Sequence, residues 1–338
     1  MTSSAPLVSI CLPTYNRPEY LRRTVESCLA QTYKNFEIVV TDNSTNTESA
    51  EMIKKINDPR IHYYSNNGNI GACASGNRAN SLAVGKYIKC LMDDDLLKPR
   101  CLELMVDAFE KNPSVAVVMA PMDLIDENDT RIFPKFYMVR TMTYRYRYQV
   151  GDALIPQHRL LKDFLTRDYP CSVPSAIMFR GDSLRRFMPF DENAHFAADL
   201  DMCMQMAAHY DFYYIDQVLS SWRWTPTCHT ARLHKSGVEM NAFYHITRKT
   251  LAFDSVKKMF SGEWNKLERD SMFFCSCRCV MLNGMAAVRG RSPRLLLHTM
   301  KTVVQQDKHW INYFRIPFWG LRQVFASFFA PKLPPARE

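Results

Sequence analysis

The stretch Tyr87-Ile88-Lys89-Cys90-Leu91-Met92-Asp93-Asp94-Asp95-Leu96-Leu97-Lys98-Pro99 runs from an apolar segment straight into three consecutive aspartates. The apolar part reads as a buried strand, and Leu96–Pro99 reads as the opening of a charged helical pattern. Stacking like charges at a strand's carboxyl end costs free energy unless a cation is held there. Clustered carboxylates select hard ions such as Mg²⁺ or Mn²⁺ over metals that prefer thiolate. The expectation is a metal held against a diphosphate.

Working outward, the same strand, polar loop and helix cycle recurs. Val8–Pro13 is a short apolar run followed by Thr14-Tyr15-Asn16-Arg17 and a helix with Leu21, Val25, Cys28 and Leu29 on one face. Phe36–Thr41 ends at Asp42-Asn43-Ser44-Thr45, with a helix over about 47–57. Arg60–Tyr64 leads into Asn66-Asn67-Gly68-Asn69-Ile70-Gly71 and a small-residue helix reaching about Leu82, and Val115–Ala120 makes a fifth strand. This alternation predicts an α/β fold: a mostly parallel central sheet with helices on both faces. Ligands bind such sheets at the carboxyl ends of the strands. The four polar clusters all fall on that edge, and together they outweigh their separate readings as turns or helix caps.

Further along, Thr141–Tyr148 alternates Tyr and Arg as an exposed edge strand does. Arg159–Arg167 reads as a short helix and Ser175–Phe179 as a strand, and Asp182 reads as the cap of a helix over Ser183–Met188. An amphipathic helix follows over about Asp199–His209, then a strand at Phe212–Ile215 and a loop bearing Trp222, Trp224, His229 and His234.

The chain has 338 residues, 47% hydrophobic and 23% charged, which describes a folded protein of one large domain with an appendage, or of two domains. Its eleven cysteines are scattered through apolar runs and read as reduced and cytosolic. Cys275-Ser276-Cys277-Arg278-Cys279 lacks the spacing of a zinc knuckle. Of the net charge of +9, +7 lies between Arg289 and Glu338, where nine Lys and Arg face only Asp307 and Glu338. Phe318–Phe329 drawn as a helix gathers Phe318, Leu321, Val324, Phe325, Phe328 and Phe329 on one face. That tail, over 310–338, either lies on a membrane as a peripheral contact or packs on the catalytic domain or a second copy, which would make a homo-oligomer. It is too interrupted, by Arg315, Pro317 and Arg322, to span one.

These residues resemble the family 2 glycosyltransferases of GT-A fold, of the bacterial surface-polysaccharide type. Val8–Arg17 is similar to that family's first strand and its P-x-Y-N-R loop, and Phe36–Thr45 to its second strand and D-D-G-S-T turn. Asn69–Pro99 is similar to the segment leading into its D-x-D metal motif, and Ala198–Gln205 to the helix that usually begins E-D-x-D-L. The resemblance covers about residues 7–225. It implies a GT-A catalytic domain over 1–225, with a nucleotide-binding half at about 7–120 and an acceptor-binding half at about 121–225. Residues 226–338 form a helical, basic and aromatic extension.

Carried over by position, the resemblance implies that Pro13, Thr14, Tyr15 and Arg17 line the nucleotide pocket and that Asp42 accepts a hydrogen bond from the base. Asn69, Asn77 or Arg78 approaches the ribose and diphosphate, and Asp93 touches the ribose. Asp94 and Asp95 hold Mn²⁺ or Mg²⁺, although the family often places an aspartate at Met92, so which carboxylates bond the metal directly stays open. Asp199 is the general base, preceded by Ala198 where the family commonly has Glu, and Asp201 is its rival. His229 stands where some GT-A enzymes offer a further metal ligand. Gln306–Trp310 is similar to a motif of processive synthases but carries His309 for Arg and reads as coincidence.

The implied reaction is an inverting transfer from a nucleotide-sugar, with UDP favoured by family frequency, to a saccharide or lipid-linked saccharide. The implied location is cytoplasmic, peripheral on the inner membrane's cytoplasmic face. Two other classes stay open. A nucleotidyltransferase lacks support because Pro13–Arg17 stands where its glycine-rich loop would be. A non-catalytic nucleotide- or nucleic-acid-binding protein is disfavoured, since the basic charge lies in the tail and bare aspartates repel phosphate. No nucleic-acid partner is expected.

Overall fold

The computed structural model describes residues 8–132, 151–167, 173–225, 240–289 and 292–306. The expected edge strand at Thr141–Tyr148, His229 and the tail 310–338 lie outside these residues. In chain order the elements are β1 Val8–Thr14, α1 Pro18–Leu29, β2 Phe36–Asp42, α2 Glu48–Ile56, β3 Ile61–Ser65, α3 Ala72–Leu82, β4 Tyr87–Cys90, β5 Leu96–Leu97, α4 Cys101–Lys111, β6 Val117–Met119, β7 Met122–Ile125 and β8 Arg131–Ile132. They continue with β9 Ala153–Ile155, α5 Gln157–Thr166, β10 Ile177–Arg180, α6 Gly181–Arg185, α7 Ala198–Ala207, β11 Phe212–Tyr214, β12 Ser220–Arg223, α8 Met240–Ala252, α9 Asp254–Met259, α10 Trp264–Arg289 and α11 Pro293–Gln306.

Eight strands form the main sheet in the order β3-β2-β1-β4-β10-β6-β11-β9, and a smaller sheet runs β5-β12-β7-β8. The first four strands are mutually parallel. Alternate residues of β1 and β2 divide between two cores. Val8, Ile10, Leu12, Ile38 and Val40 share a core with α1 and α4, whereas Cys11 and Val39 pack on α3, in the core that also takes in α5, α7 and α8. This is the two-faced burial expected of strands that read as nearly continuous apolar runs.

The strand read at Ser175–Phe179, β10 in the structure, runs antiparallel between β4 and β6 within the otherwise largely parallel sheet. Several sequence expectations are corrected. Leu96–Leu97 does not open a helix but pairs with β12. Pro99 disfavours helix at the residue before it, so α4 starts at Cys101. Asp182 does not cap a helix: α6 begins at Gly181, and the Asp182 carboxylate instead accepts from Arg185 at 3.2 Å. Helix α7 is not amphipathic, since every residue but Asp199 is buried. The face that its sequence would give to solvent is covered by the C-terminal helices, whose Phe243, Tyr244, Ile246 and Phe274 share one core with Ile88, Met119 and Phe179. Among the described residues no helix is long and apolar enough to cross a membrane.

Candidate active site

Strand register assembles the first part of the site. Thr14 pairs with Asp42 at the ends of β1 and β2, and Cys11 pairs with Cys90 on β4. Continuing that register by three residues sets Thr14 beside Asp93, and the Thr14 hydroxyl donates to Asp93 Oδ2 at 2.8 Å. The Tyr15 backbone N–H donates to the same oxygen at 3.3 Å. Arg17 Nη1 lies 2.7 Å from Asp94 Oδ2 and 3.6 Å from Asp93 Oδ1. The structure therefore brings Thr14, Tyr15, Arg17, Asp93 and Asp94 together, with the Tyr15 ring exposed at the rim. Pro13 sits one residue inside on β1.

The acidic turn is held from beneath. The buried Thr24 hydroxyl lies 2.9 Å from both the Asp93 and Asp95 carbonyl oxygens. Arg223 Nε donates to the Asp94 carbonyl at 2.8 Å, and the same guanidinium reaches the Asp126 carbonyl and the Asp129 carboxylate. Asp95 Oδ1 accepts the Arg223 backbone N–H at 3.0 Å, while Oδ2 is buried without a partner of full hydrogen-bond geometry. Asp95 thus points into the protein rather than to the rim. Burial and the neighbouring Asp94 charge push Asp93 up to about 7 and Asp95 up to about 8, and burial also raises Asp94 against the pull of Arg17.

This donor set fits a small divalent ion arriving with a substrate. Among the described residues no three His, Cys, Asp or Glu side chains form a ready cage. Mg²⁺-like ions are commonly held by one or two carboxylates plus substrate phosphates instead. The adjacent carboxylates of Asp93 and Asp94, hard oxygen donors with only the Arg17 guanidinium beside them, meet that description.

The other expected donor contacts divide. Asp42 accepts the Ser44 backbone N–H and the Tyr63 hydroxyl, each at 2.6 Å, so each oxygen already has one partner. Asn16, at φ 51°, ties the first loop to the second: its N–H donates to the Ser44 hydroxyl at 2.8 Å, and its carbonyl oxygen Oδ1 accepts from the Thr45 N–H at 3.1 Å. Asn69 is exposed, and its Oδ1 accepts the Gly71 N–H at 2.9 Å. Asn77 uses both ends of its amide on the Phe190 backbone, at 2.7 and 3.0 Å. Arg78 is occupied by the Ser65 carbonyl and Asn66.

Asp199 is the second residue of α7, beside a distorted turn in which His195 adopts φ 48° and ψ −122°, a region costly for a residue with a side chain. Burial pushes Asp199 up to about 7. Backbone N–H donors, Leu200's at 2.7 Å among them, and the Arg278 charge pull against that burial, and among the described residues no cation lies within ion-pair distance of the carboxylate. Its charge is felt at Cys90, the last residue of β4 and three before Asp93. Asp201 is placed differently. It is fully buried, paired with Lys249 Nζ at 2.7 Å and bonded by Gln205 at 2.7 Å. Lys249 also contacts Asp191 at 2.9 Å, which His245 reaches at 3.0 Å. Against the burial that would raise it, those two bonds hold Asp191 well below the usual carboxylate range. One ammonium thus pins both ends of the segment carrying His195 and Asp199.

Sequence reasoning missed Arg223, Thr24, Lys249 and Asp191. Each acts from an element distant in the chain, and the only local sign was Arg223 between two tryptophans in a buried strand.

Known proteins resemble this one in sequence and in fold. An uncharacterised glycosyltransferase of Methanocaldococcus jannaschii is 34% identical over 46% of this chain and 58% of its own length. A putative colanic acid biosynthesis glycosyl transferase, WcaA of Escherichia coli, is 42% identical over 30% of this chain and 37% of its own. The chain therefore matches little more than half, or less, of these relatives. Residues 1–349 of S. aureus TarS, solved with UDP-GlcNAc, share the fold at a TM-score of 0.58 and 17% identity, over 89% of this chain and 92% of that one. The mannosyltransferase PcManGT from Pyrobaculum calidifontis, solved with GDP-Man and Mn²⁺, does so at 0.59 and 13%, over 98% and 89%. The fold is accordingly that of the GT-A glycosyltransferases. Residues 9–187, more than half of the chain, match the model of glycosyl transferase family 2, and the protein belongs to that family.

Proposed function

We propose that the protein is an inverting, metal-dependent glycosyltransferase. It moves a sugar from a nucleotide-diphosphate donor, taken to be a UDP-sugar, to a hydroxyl of a saccharide or lipid-linked saccharide during surface-polysaccharide synthesis. The observation that carries this reading is the division of labour among carboxylates. Asp93 and Asp94 gather with Thr14, Tyr15 and Arg17 at the ends of β1 and β4. Asp199 stands apart on α7, raised to about 7 and without an ion pair among the described residues.

Thr14 and the Tyr15 N–H orient Asp93, and Thr24 and Arg223 hold the turn rigid, so the carboxylates need little rearrangement when a donor binds. Asp93 and Asp94 would hold Mn²⁺ or Mg²⁺, with Asp95 buried behind them. When bound, such an ion supplies positive charge to the departing diphosphate oxygens. Arg17 adds a second positive group at the same place. The acceptor oxygen attacks the anomeric carbon opposite the diphosphate, the new C–O bond forming as the old one breaks. The proton passes to the Asp199 carboxylate, whose raised pKa suits it to accept one near neutrality. Asp201, already neutralised by Lys249, is the weaker candidate for that role. The nucleotide-sugars bound by TarS and PcManGT, and the pathway in WcaA's name, support this reading by likeness. This reading has the protein work in the cytoplasm, peripheral to the inner membrane, with the basic and aromatic sequence over 310–338 as a membrane contact.

The test is nucleoside-diphosphate release from a panel of UDP-, GDP- and dTDP-sugars with Mn²⁺ or with EDTA. Release that requires Mn²⁺ and is lost in Asp199→Asn is expected. Release indifferent to EDTA, or none from any donor with acceptor extracts present, would overturn the reading.

A further inference from the structure

Helix α11 is built the reverse of a solvated helix. Its inner face is Thr299, Thr302 and Val303, all buried, with the Thr299 hydroxyl satisfied by the Leu295 carbonyl at 2.7 Å. Its outer face carries Leu296, Leu297, Met300 and Val304, exposed by 43, 71, 40 and 59%. These are four of the eight large hydrophobic side chains exposed among the described residues. At helical spacing they fill one arc of about 100°. The helix is not free to roll that arc inward. Arg248 on α8 grips its last residue, donating to Gln306 Oε1 at 2.5 Å and to the Gln306 carbonyl at 2.8 Å.

Contiguous exposed apolar surface of this kind marks an interaction site, and the charge around it says of which kind. Helix α11 carries Arg294 and Lys301 and no acidic residue, and Arg289 and Arg291 precede it. A second copy docked face to face would set cations against cations. Residues 307–338, with Lys308, Arg315, Arg322, Lys332 and Arg337 against Asp307 and Glu338, would bring a further +3. An apolar arc bordered by basic side chains suits the boundary of a bilayer rich in anionic lipid. We propose that the outer face of α11, formed by Leu296, Leu297, Met300 and Val304, docks on an anionic lipid bilayer. This surface belongs to the packed helical region rather than to the tail beyond it, and it does not depend on the identity of the donor or on the transferase reaction.

The test is flotation of the full-length protein with vesicles of phosphatidylcholine alone or mixed with phosphatidylglycerol. Wild type is expected to float with the mixed vesicles. Leu297→Glu/Val304→Glu is expected to bind at least about tenfold more weakly, with unchanged melting temperature, solution mass and nucleoside-diphosphate release. Leu297→Ser/Val304→Ser gives the same direction if the charged pair fails to fold. The proposal is overturned if wild type binds neither vesicle or binds both equally. It is also overturned if the variants float as wild type does, which leaves binding to the tail, or if they convert a dimer to a monomer, which makes the face an interface between copies. Loss of donor turnover in wild type, by contrast, would count against the transferase reading and leave this one standing.

Discussion

The Arg17 guanidinium lies 2.7 Å from the Asp94 carboxylate, so the acidic turn holds a cation of its own before any substrate arrives. That pair makes Arg17 and a metal ion partners for the same carboxylate. Removing Arg17's charge with Arg17→Met should tighten binding of Mn²⁺ alone by roughly tenfold, the scale on which a neighbouring opposite charge acts on a carboxylate. The same change should raise KM for the donor, whose diphosphate loses a positive contact. Calorimetric titration of Mn²⁺ without nucleotide reads the first effect, and unchanged Mn²⁺ affinity would count against shared occupancy.

Lys249 serves two carboxylates, and its removal should be asymmetric with theirs. Lys249→Met strands Asp201, which is fully buried, without a cation, so a loss of about 3 kcal/mol is expected. Asp201→Asn leaves Lys249 paired to Asp191 and should cost much less. Burial already raises Asp201, so the Lys249→Met loss should shrink as acid protonates that carboxylate. Urea melts at pH 7.5 and 5 check the ordering, and equal losses at both would contradict it.

Arg223 is almost wholly buried and joins Asp94, Asp126 and Asp129, with its ring neighbour Tyr20 at 4.9 Å. Arg223→Lys keeps the charge but not the planar fork, so it should fail to restore the donor affinity lost in Arg223→Met. Arg223→Met should lower stability by about 3 kcal/mol. Donor titration and thermal melting of the two variants check this, and full rescue by lysine would show that only the charge matters.

Asp199 gives a pH prediction with a definite sign. Its pKa in the folded protein is raised from the ordinary carboxylate value to about 7. The fold thus favours the protonated form, and that stabilising contribution is complete below the ordinary value and is lost as pH rises through about 7. Asp199→Asn fixes a neutral isostere. It should therefore melt higher than wild type at pH 8, by roughly 4 °C or more, and equally at pH 4. Activity should run the opposite way, with wild-type kcat/KM falling about tenfold per unit below the base's pKa. A variant less stable than wild type at pH 8 would contradict the assignment.

The parts legible in the sequence are those built from short-range pattern. The strand and helix alternation before Leu82, and the polar clusters at the strand ends, follow from local periodicity and appear in the fold nearly residue for residue. The antiparallel insertion of β10 does not, because nothing local distinguishes a central strand's direction. The resemblance pairs Asp95 with Asp94 as metal ligands, yet a turn sends consecutive side chains to different places, and the Arg223 backbone draws Asp95 inward. The Asn77 amide, which the resemblance turns toward the donor, is held by the Phe190 backbone, more than a hundred residues later, a partner no local pattern announces. Helix α7 reads as amphipathic only until the C-terminal helices cover it.

The most direct test separates holding the donor from activating the acceptor. UDP-sugar binding with Mn²⁺ should be measured by calorimetry for wild type, Asp94→Asn and Asp199→Asn, alongside turnover. Asp94→Asn is expected to lose metal-dependent binding. Asp199→Asn is expected to bind the donor as wild type does and to lose about 10²–10⁴ in kcat. Donor binding unaffected by Asp94→Asn and by EDTA, or turnover preserved in Asp199→Asn, would contradict this separation of roles.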